Sequence, residues 1–225
     1  MALAALGGCG GGGDSPGGGT ANSDTALLQQ LATRYNTGVD GKFVYRYTSA
    51  NFGEHPNGQW TVYRLAGQVR EDWQTNIFGF DQSTIAIKST AASYVCTRAP
   101  SLSSCKVVPE SDLRVVFVLF TPVREVPQAI VDGTTAYEAT RLPDETIAGV
   151  TGRCFEVKVP GRIGVGQPGS EEAKICFSDS GALLSFDRKV IFSNTVLPTA
   201  ELHVKAEEAG VAAVTDFQPI SPPQQ

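Results

Sequence analysis

The chain has 225 residues, a formal net charge of −5 and 41% hydrophobic residues. That length is ample for one core, and the acidic balance argues against a nucleic-acid partner, because phosphate binding needs a basic surface. No apolar run reaches the roughly 18 residues of a spanning helix; the longest, LRVVFVLF, is held between Arg114 and Pro122.

Glycine dominates the first segment, ALGGCGGGGDSPGGGT, around a single cysteine. A phosphate-cradling loop would need a strand before the glycines and a Lys-Ser or Lys-Thr pair after them, and the sequence offers neither. Leu6-Gly7-Gly8-Cys9 resembles instead the lipobox of bacterial lipoproteins, which implies acylation of Cys9 and a membrane anchor through it. Residues 1–9 then read as a partial lipoprotein signal and residues 10–22 as a Gly-rich tether, flexible and unable to bury a core. A secretory signal carries a basic segment and an apolar stretch of about 7–15 residues. No Lys or Arg precedes Cys9, so a longer in-frame leader is expected upstream.

A single domain is expected over residues 23–216. SDTALLQQLATRYNTG reads as a helix, capped by Ser23 or Asp24, with Leu27, Leu31 and Tyr35 on one face and Gly38 at its end. From Gly41 the period changes to two. KFVYRYTSANF places Phe43, Tyr45 and Tyr47 on one face, and GQWTVYRLAG, QVREDWQTNIF, STIAIKST and ASYVCTR follow at hairpin spacing, an antiparallel meander. PESDLRVVFVLF and PVREVPQAIVDG interrupt it. Val and Phe favour a strand in the first, Pro-Glu-Ser-Asp a helix opening, and the pair reads as short helices. Strands resume in TTAYEATRL, ETIAGVTGRCFEVKVP, EAKICFSD, ALLSFDRKV and AELHVKAEEA, and residues 217–225 read as an extended tail.

Cys96, Cys105, Cys154 and Cys176 allow three pairings. Each neighbouring couple flanks a plausible hairpin, and adjacent strands bring Cβ atoms within bonding distance, so Cys96–Cys105 and Cys154–Cys176 are expected. A zinc site would draw two ligands from a C-x₂₋₄-C knuckle, which neither couple forms; no metal and no cofactor are expected. Disulfides agree with an extracytoplasmic location.

TIAGVTGRCFEVKV followed by AKICFSDSGALLSF resembles the C-terminal half of envelope lipoproteins related to the LolA/LppX group, and VTDFQPISPP is similar to the close of such chains. The motif match lies within residues 146–186, and the order of elements agrees from Ser23 onward. The resemblance implies an α+β, mainly β fold: a strongly curved antiparallel sheet, an incomplete barrel, with covering helices and a cavity for lipid acyl chains between them.

Catalytic patterns are missing from the sequence. There is no G-x-S-x-G elbow, and the two histidines, His55 in a loop and His203 on a late strand, suit surface roles. Gly164-Val-Gly-Gln-Pro-Gly169 copies a dinucleotide fingerprint, but Pro168 removes a donor and Glu171 and Glu172 follow where a pyrophosphate would sit. Glu71 and Asp72 are strand neighbours that point to opposite faces, so they cannot converge on one bond, and at least one is expected to be solvated. The aromatics remain. A curved sheet with few helices exposes more apolar concave face than those helices fill. Tyr45, Trp60, Val62, Phe117, Phe120 and Phe155 are the candidate lining. The expected protein is therefore a non-catalytic, lipid-anchored envelope protein that binds or transfers a hydrophobic ligand, such as an acylated lipid. The alternative is an envelope protein-interaction or sensor module with no ligand cavity.

Overall fold

The computed structural model describes residues 20–37, 39–50, 57–77, 80–117, 121–133, 137–159, 169–193 and 199–224. Helix α1 (Thr20–Thr37) leads, starting three residues ahead of the expected Ser23. It buries Leu31 completely and packs Leu27, Leu28 and Tyr35 against the core. Six strands follow: β1 (Gly41–Ala50), β2 (Gly58–Leu65), β3 (Gln68–Ile77), β4 (Phe80–Lys88), β5 (Ser93–Ala99) and β6 (Leu102–Val108). The ambiguous insert is helical, as α2 (Glu110–Phe117) and α3 (Thr121–Asp132). The second half holds β7 (Glu138–Arg141), β8 (Glu145–Ile147), β9 (Val150–Val159), β10 (Gly169–Ser178), β11 (Leu183–Phe192) and β12 (Ala200–Gly210). A 3-10 turn (Val214–Phe217) and β13 (Pro223–Gln224) complete the described chain.

All the strands belong to one sheet in the order β13-β6-β5-β4-β3-β2-β1-β12-β11-β10-β9-β7, with β8 also on β9. Every pairing is antiparallel except β13 with β6. The ends of the order do not pair with each other, so the sheet is a curved, incomplete barrel. The joint between the halves is β1–β12, where a bulge between Val44 and Tyr45 resets the register; such bulges bend a strand and sharpen its twist. The stretch from Glu145 to Val159, expected as one strand, is a tight hairpin instead. Ala148 (φ 51°) and Gly149 (φ 76°) both take the left-handed conformation, the geometry of a two-residue type I′ turn.

The main core lies on the concave face. Phe43, Tyr45, Tyr47, Trp60, Val62 and Trp73 from β1–β3 join Phe155, Val157, Ile175, Phe186 and Val204 from β9–β12. Helices α1 and α3 pack on each other, and α1 also meets β7. Each cysteine couple sits at directly opposed positions, Cys96 on Cys105 and Cys154 on Cys176. Both couples are bonded, with S–S distances of 2.09 and 2.04 Å.

A second, smaller core occupies the convex face of β4–β6, where Ile85, Ile87 and the Cys96–Cys105 bridge meet Ala212 and Phe217. The tail expected to extend from Phe217 therefore folds back on the sheet. Phe217 is 2% exposed, and burying a phenylalanine contributes roughly 1.5–3 kcal/mol, enough to hold so short a segment down. This cover also corrects the reading of Glu71-Asp72. The two do face opposite sides, but neither is solvated. Asp72 lies under the tail, where it accepts 2.6 Å bonds from Nε and Nη2 of Arg70, which in turn donates to the Asp216 carbonyl at 2.8 Å. Glu71 is on the concave side, 1% exposed.

Candidate functional site

Cross-strand register builds the site. Tyr45 stands opposite Trp60, and Trp60 opposite Trp73, so alternation puts the three on one face. Their rings stack, with centroids 4.8 Å apart for Tyr45–Trp60 and 5.2 Å for Trp60–Trp73. One step toward the β2–β3 turn, Phe43, Val62 and Glu71 share a row; the next step brings Arg64 and Val69. Tyr35 of α1 and Val39 just after it close one side, Val123 and Pro127 of α3 another, and Phe177 and Leu183 flank the β10–β11 turn. The cavity, open to solvent on one side, measures about 370 Å³, within the roughly 300–1,000 Å³ of small-molecule sites.

The cavity walls are apolar with a few fixed polar points. The Tyr45 hydroxyl donates to the Leu183 carbonyl at 2.9 Å, tying β1 to the far side of the cavity. Burial holds that hydroxyl well above its ordinary pKa, with Arg64 opposing the shift and the negative charge of Glu71 adding to it. Tyr47, one row deeper and against Gly58, is pushed up to about 12 by burial. Helix α3 has Pro127 in its interior. Proline has no N–H to give the preceding turn and weakens a helix there, but the ring presents an apolar surface to the cavity.

Ion pairs hold the roof on the sheet. Arg188 of β11 is 8% exposed and donates through Nε to Glu171 of β10 at 2.8 Å and through Nη1 to Glu125 of α3 at 2.6 Å. Tyr137 lies beside this cluster, its hydroxyl pKa raised by burial and by the charge of Glu171. At the end of α1, Arg34 donates to the Ser178 carbonyl at 2.8 Å and to Asp179.

Of the expected lining residues, Tyr45, Trp60 and Val62 border the cavity. Phe155 does not. It is fully buried on β9, with the Arg141 guanidinium 5.3 Å from its ring centre. The Phe117 side chain, Phe120, Cys9, His55 and residues 164–168 lie outside the described residues. His203 is on the surface, its Nδ1 2.9 Å from Asp187. Sequence reasoning missed Arg64, Glu71, Phe177 and Leu183; Arg64 and Glu71 stand at the alternation positions of Trp60 and Trp73, which was the available signal. Among the described residues one group, Glu145 with Cys154 and Cys176, has metal-ligand proximity. Its sulfurs form the disulfide and Glu145 pairs with Lys174, so the group offers no thiolate. A second hollow of about 470 Å³, beyond Tyr47, is lined chiefly by polar side chains such as Gln59, Gln74 and Thr75.

With this geometry in hand, the crystal structure of LprF from Mycobacterium bovis superposes over 92% of this chain and 100% of its own, with a TM-score of 0.51 at 9% identity. The chain shares its fold with LprF. The resemblance to the LolA/LppX group is thereby borne out at the level of fold. Mycobacterium tuberculosis lipoprotein LppX aligns over 84% of this chain and 98% of its own, at 10% identity and a TM-score of 0.48. An outer membrane lipoprotein-sorting protein domain from Vibrio parahaemolyticus aligns over 88% and 97%, at 11% identity and a TM-score of 0.30. No family model matches the sequence, and no curated protein matches it.

Proposed function

We propose that this protein is a non-catalytic envelope carrier, anchored through a lipid on Cys9, which holds a hydrophobic ligand between its curved sheet and helices. The cavity of about 370 Å³, floored by Tyr45 and Trp60 and roofed by α3, is the observation that carries the reading. Stacked aromatics and aliphatic walls suit an acyl chain, since each methylene removed from water contributes about 0.8 kcal/mol without polar recognition. The likeness to LprF supports the reading, and both disulfides agree with an oxidising, extracytoplasmic compartment.

Native mass spectrometry of the protein purified from its own membrane tests the carrier role. The expected result is a protein–lipid adduct that is lost when Val62→Asp places a charge in the wall. A folded protein with no adduct and no saturable uptake of a fluorescent fatty acid would refute it. The anchor is tested separately: Cys9→Ser in the gene with its upstream leader should release the protein from the membrane fraction, and unchanged partitioning would refute acylation at Cys9.

A further inference from the structure

Arg64 stands apart from the other charged groups around the cavity. Arg34 and Arg188 spend their donors on Ser178, Asp179, Glu171 and Glu125. Arg64 lines the cavity, yet has no hydrogen-bond or ion-pair partner among the described residues. Its place explains how a charge is tolerated there. Arg64 is on the outermost row of the floor, two residues before the exposed Ala66-Gly67 turn, and is partly exposed, whereas Val62 and Trp60 further along β2 are buried. A guanidinium with five donors and no acceptor is thus fixed at the solvent end of an apolar cavity. Glu71 sits one row deeper, and the Tyr45 hydroxyl feels both charges, positive from Arg64 and negative from Glu71.

We propose that Arg64 binds the anionic head group, a carboxylate or a phosphate, of an amphiphile whose chain fills the cavity. The inference rests on the cavity's being a lipid site, and it adds a polarity and an orientation. Arg64 attracts an anion at the rim through paired N–H donors, the geometry that matches carboxylate and phosphate. Deeper than Arg64 the floor is Val62, Trp60 and Tyr45, which offer an anion no cation and an alkyl chain apolar contact. The chain therefore enters first, toward Trp60 and Tyr45, and the head stays at the β2–β3 end.

The test titrates the full chain with hexadecanoate, hexadecyl phosphate, hexadecanol and inorganic phosphate, following tryptophan fluorescence from the cavity floor. The wild-type protein should bind both anionic amphiphiles at least tenfold tighter than the alcohol, the scale of one charge-assisted hydrogen bond. Arg64→Leu should remove that preference, bringing the acid and the alcohol to similar affinity, while Arg64→Lys should keep part of it. Inorganic phosphate should give no saturable signal at amphiphile concentrations; equally tight binding would overturn the proposal by making the site one for a free anion. Equal affinity for acid and alcohol in the wild type, or a preference that survives Arg64→Leu, would overturn the head-group assignment and leave the cavity reading standing. Failure of all the chain-bearing probes to bind would overturn both.

Discussion

Arg188→Met should be among the most damaging single substitutions in this domain, and the structure says by how much. Arg188 is the shared counter-charge of two carboxylates in different surroundings: the Glu171 side chain is 6% exposed and Glu125 48% exposed. Removing Arg188 leaves Glu171 charged and buried without its partner, a loss of about 3–5 kcal/mol for such pairs. Glu125→Gln deletes only the half-exposed arm and should cost no more than about 1 kcal/mol. The double variant Arg188→Met/Glu171→Leu, which replaces both charges with apolar volume, should recover most of the loss or exceed the wild type. Urea unfolding followed by the fluorescence of Trp60 and Trp73 reads all three. With a slope near 2 kcal/mol per molar, Arg188→Met should lower the midpoint by roughly 1.5–2.5 M. The unopposed charge of Glu171 should also drive the neighbouring Tyr137 hydroxyl further up. If Arg188→Met moves the midpoint by less than about 0.5 M, or Glu125→Gln costs as much as it does, the reasoning that burial sets the value of each arm is wrong.

Three further outcomes are expected. Replacing Cys154 and Cys176 by serine should cost about 3.4 kcal/mol by loop-closure entropy over the separation of 22, against about 2.6 for Cys96–Cys105 over 9; thermal unfolding of each double variant would show the ranking, and a reversed order would refute it. Gly58→Ala should lose about 1–3 kcal/mol from overpacking, because its Cβ would fall 2.1 Å from the Gln74 carbonyl oxygen and 2.7 Å from the Tyr47 hydroxyl; unchanged chemical denaturation would contradict this. Tyr45, with its hydroxyl pKa raised by burial, adds stability fully present below pH 10 that is lost as pH rises toward the folded-state value. Above pH 10 stability should fall by up to about 1.4 kcal/mol per pH unit for this one group, and Tyr45→Phe should shallow the slope by one proton, as measured by unfolding across the alkaline range.

Period-two alternation was enough to place Phe43, Tyr45 and Tyr47 together and to bring each cysteine next to its partner, because both depend only on strand pairing. It was not enough to say what covers each face. Phe155 was counted with the aromatics of the candidate lining. It falls on β9, away from the β1–β3 floor, where close packing leaves no space. Glu71 and Asp72 defied the expectation of a solvated carboxylate because β3 is covered on both sides, by the helices and by the returning C-terminal segment. That second cover was hidden in a short Pro-rich stretch whose one buried aromatic is Phe217. The hairpin at Ala148-Gly149 was missed because alanine rarely accepts a left-handed conformation, so Ala-Gly does not announce a turn as Asn-Gly does.

Strand β13 gives the sheet a terminus that resists growth. The outer edge of β6 would otherwise offer its backbone to any passing strand, beside side chains as apolar as Leu102 and Val107, 63% and 54% exposed. The returning chain lays Pro223 and Gln224 along Cys105 and Lys106. Because proline has no amide hydrogen, the new outermost strand lacks a donor where a neighbour would pair. A second copy of the chain is thereby kept from extending the sheet through this edge, and the same segment that seals the convex core acts as the stop.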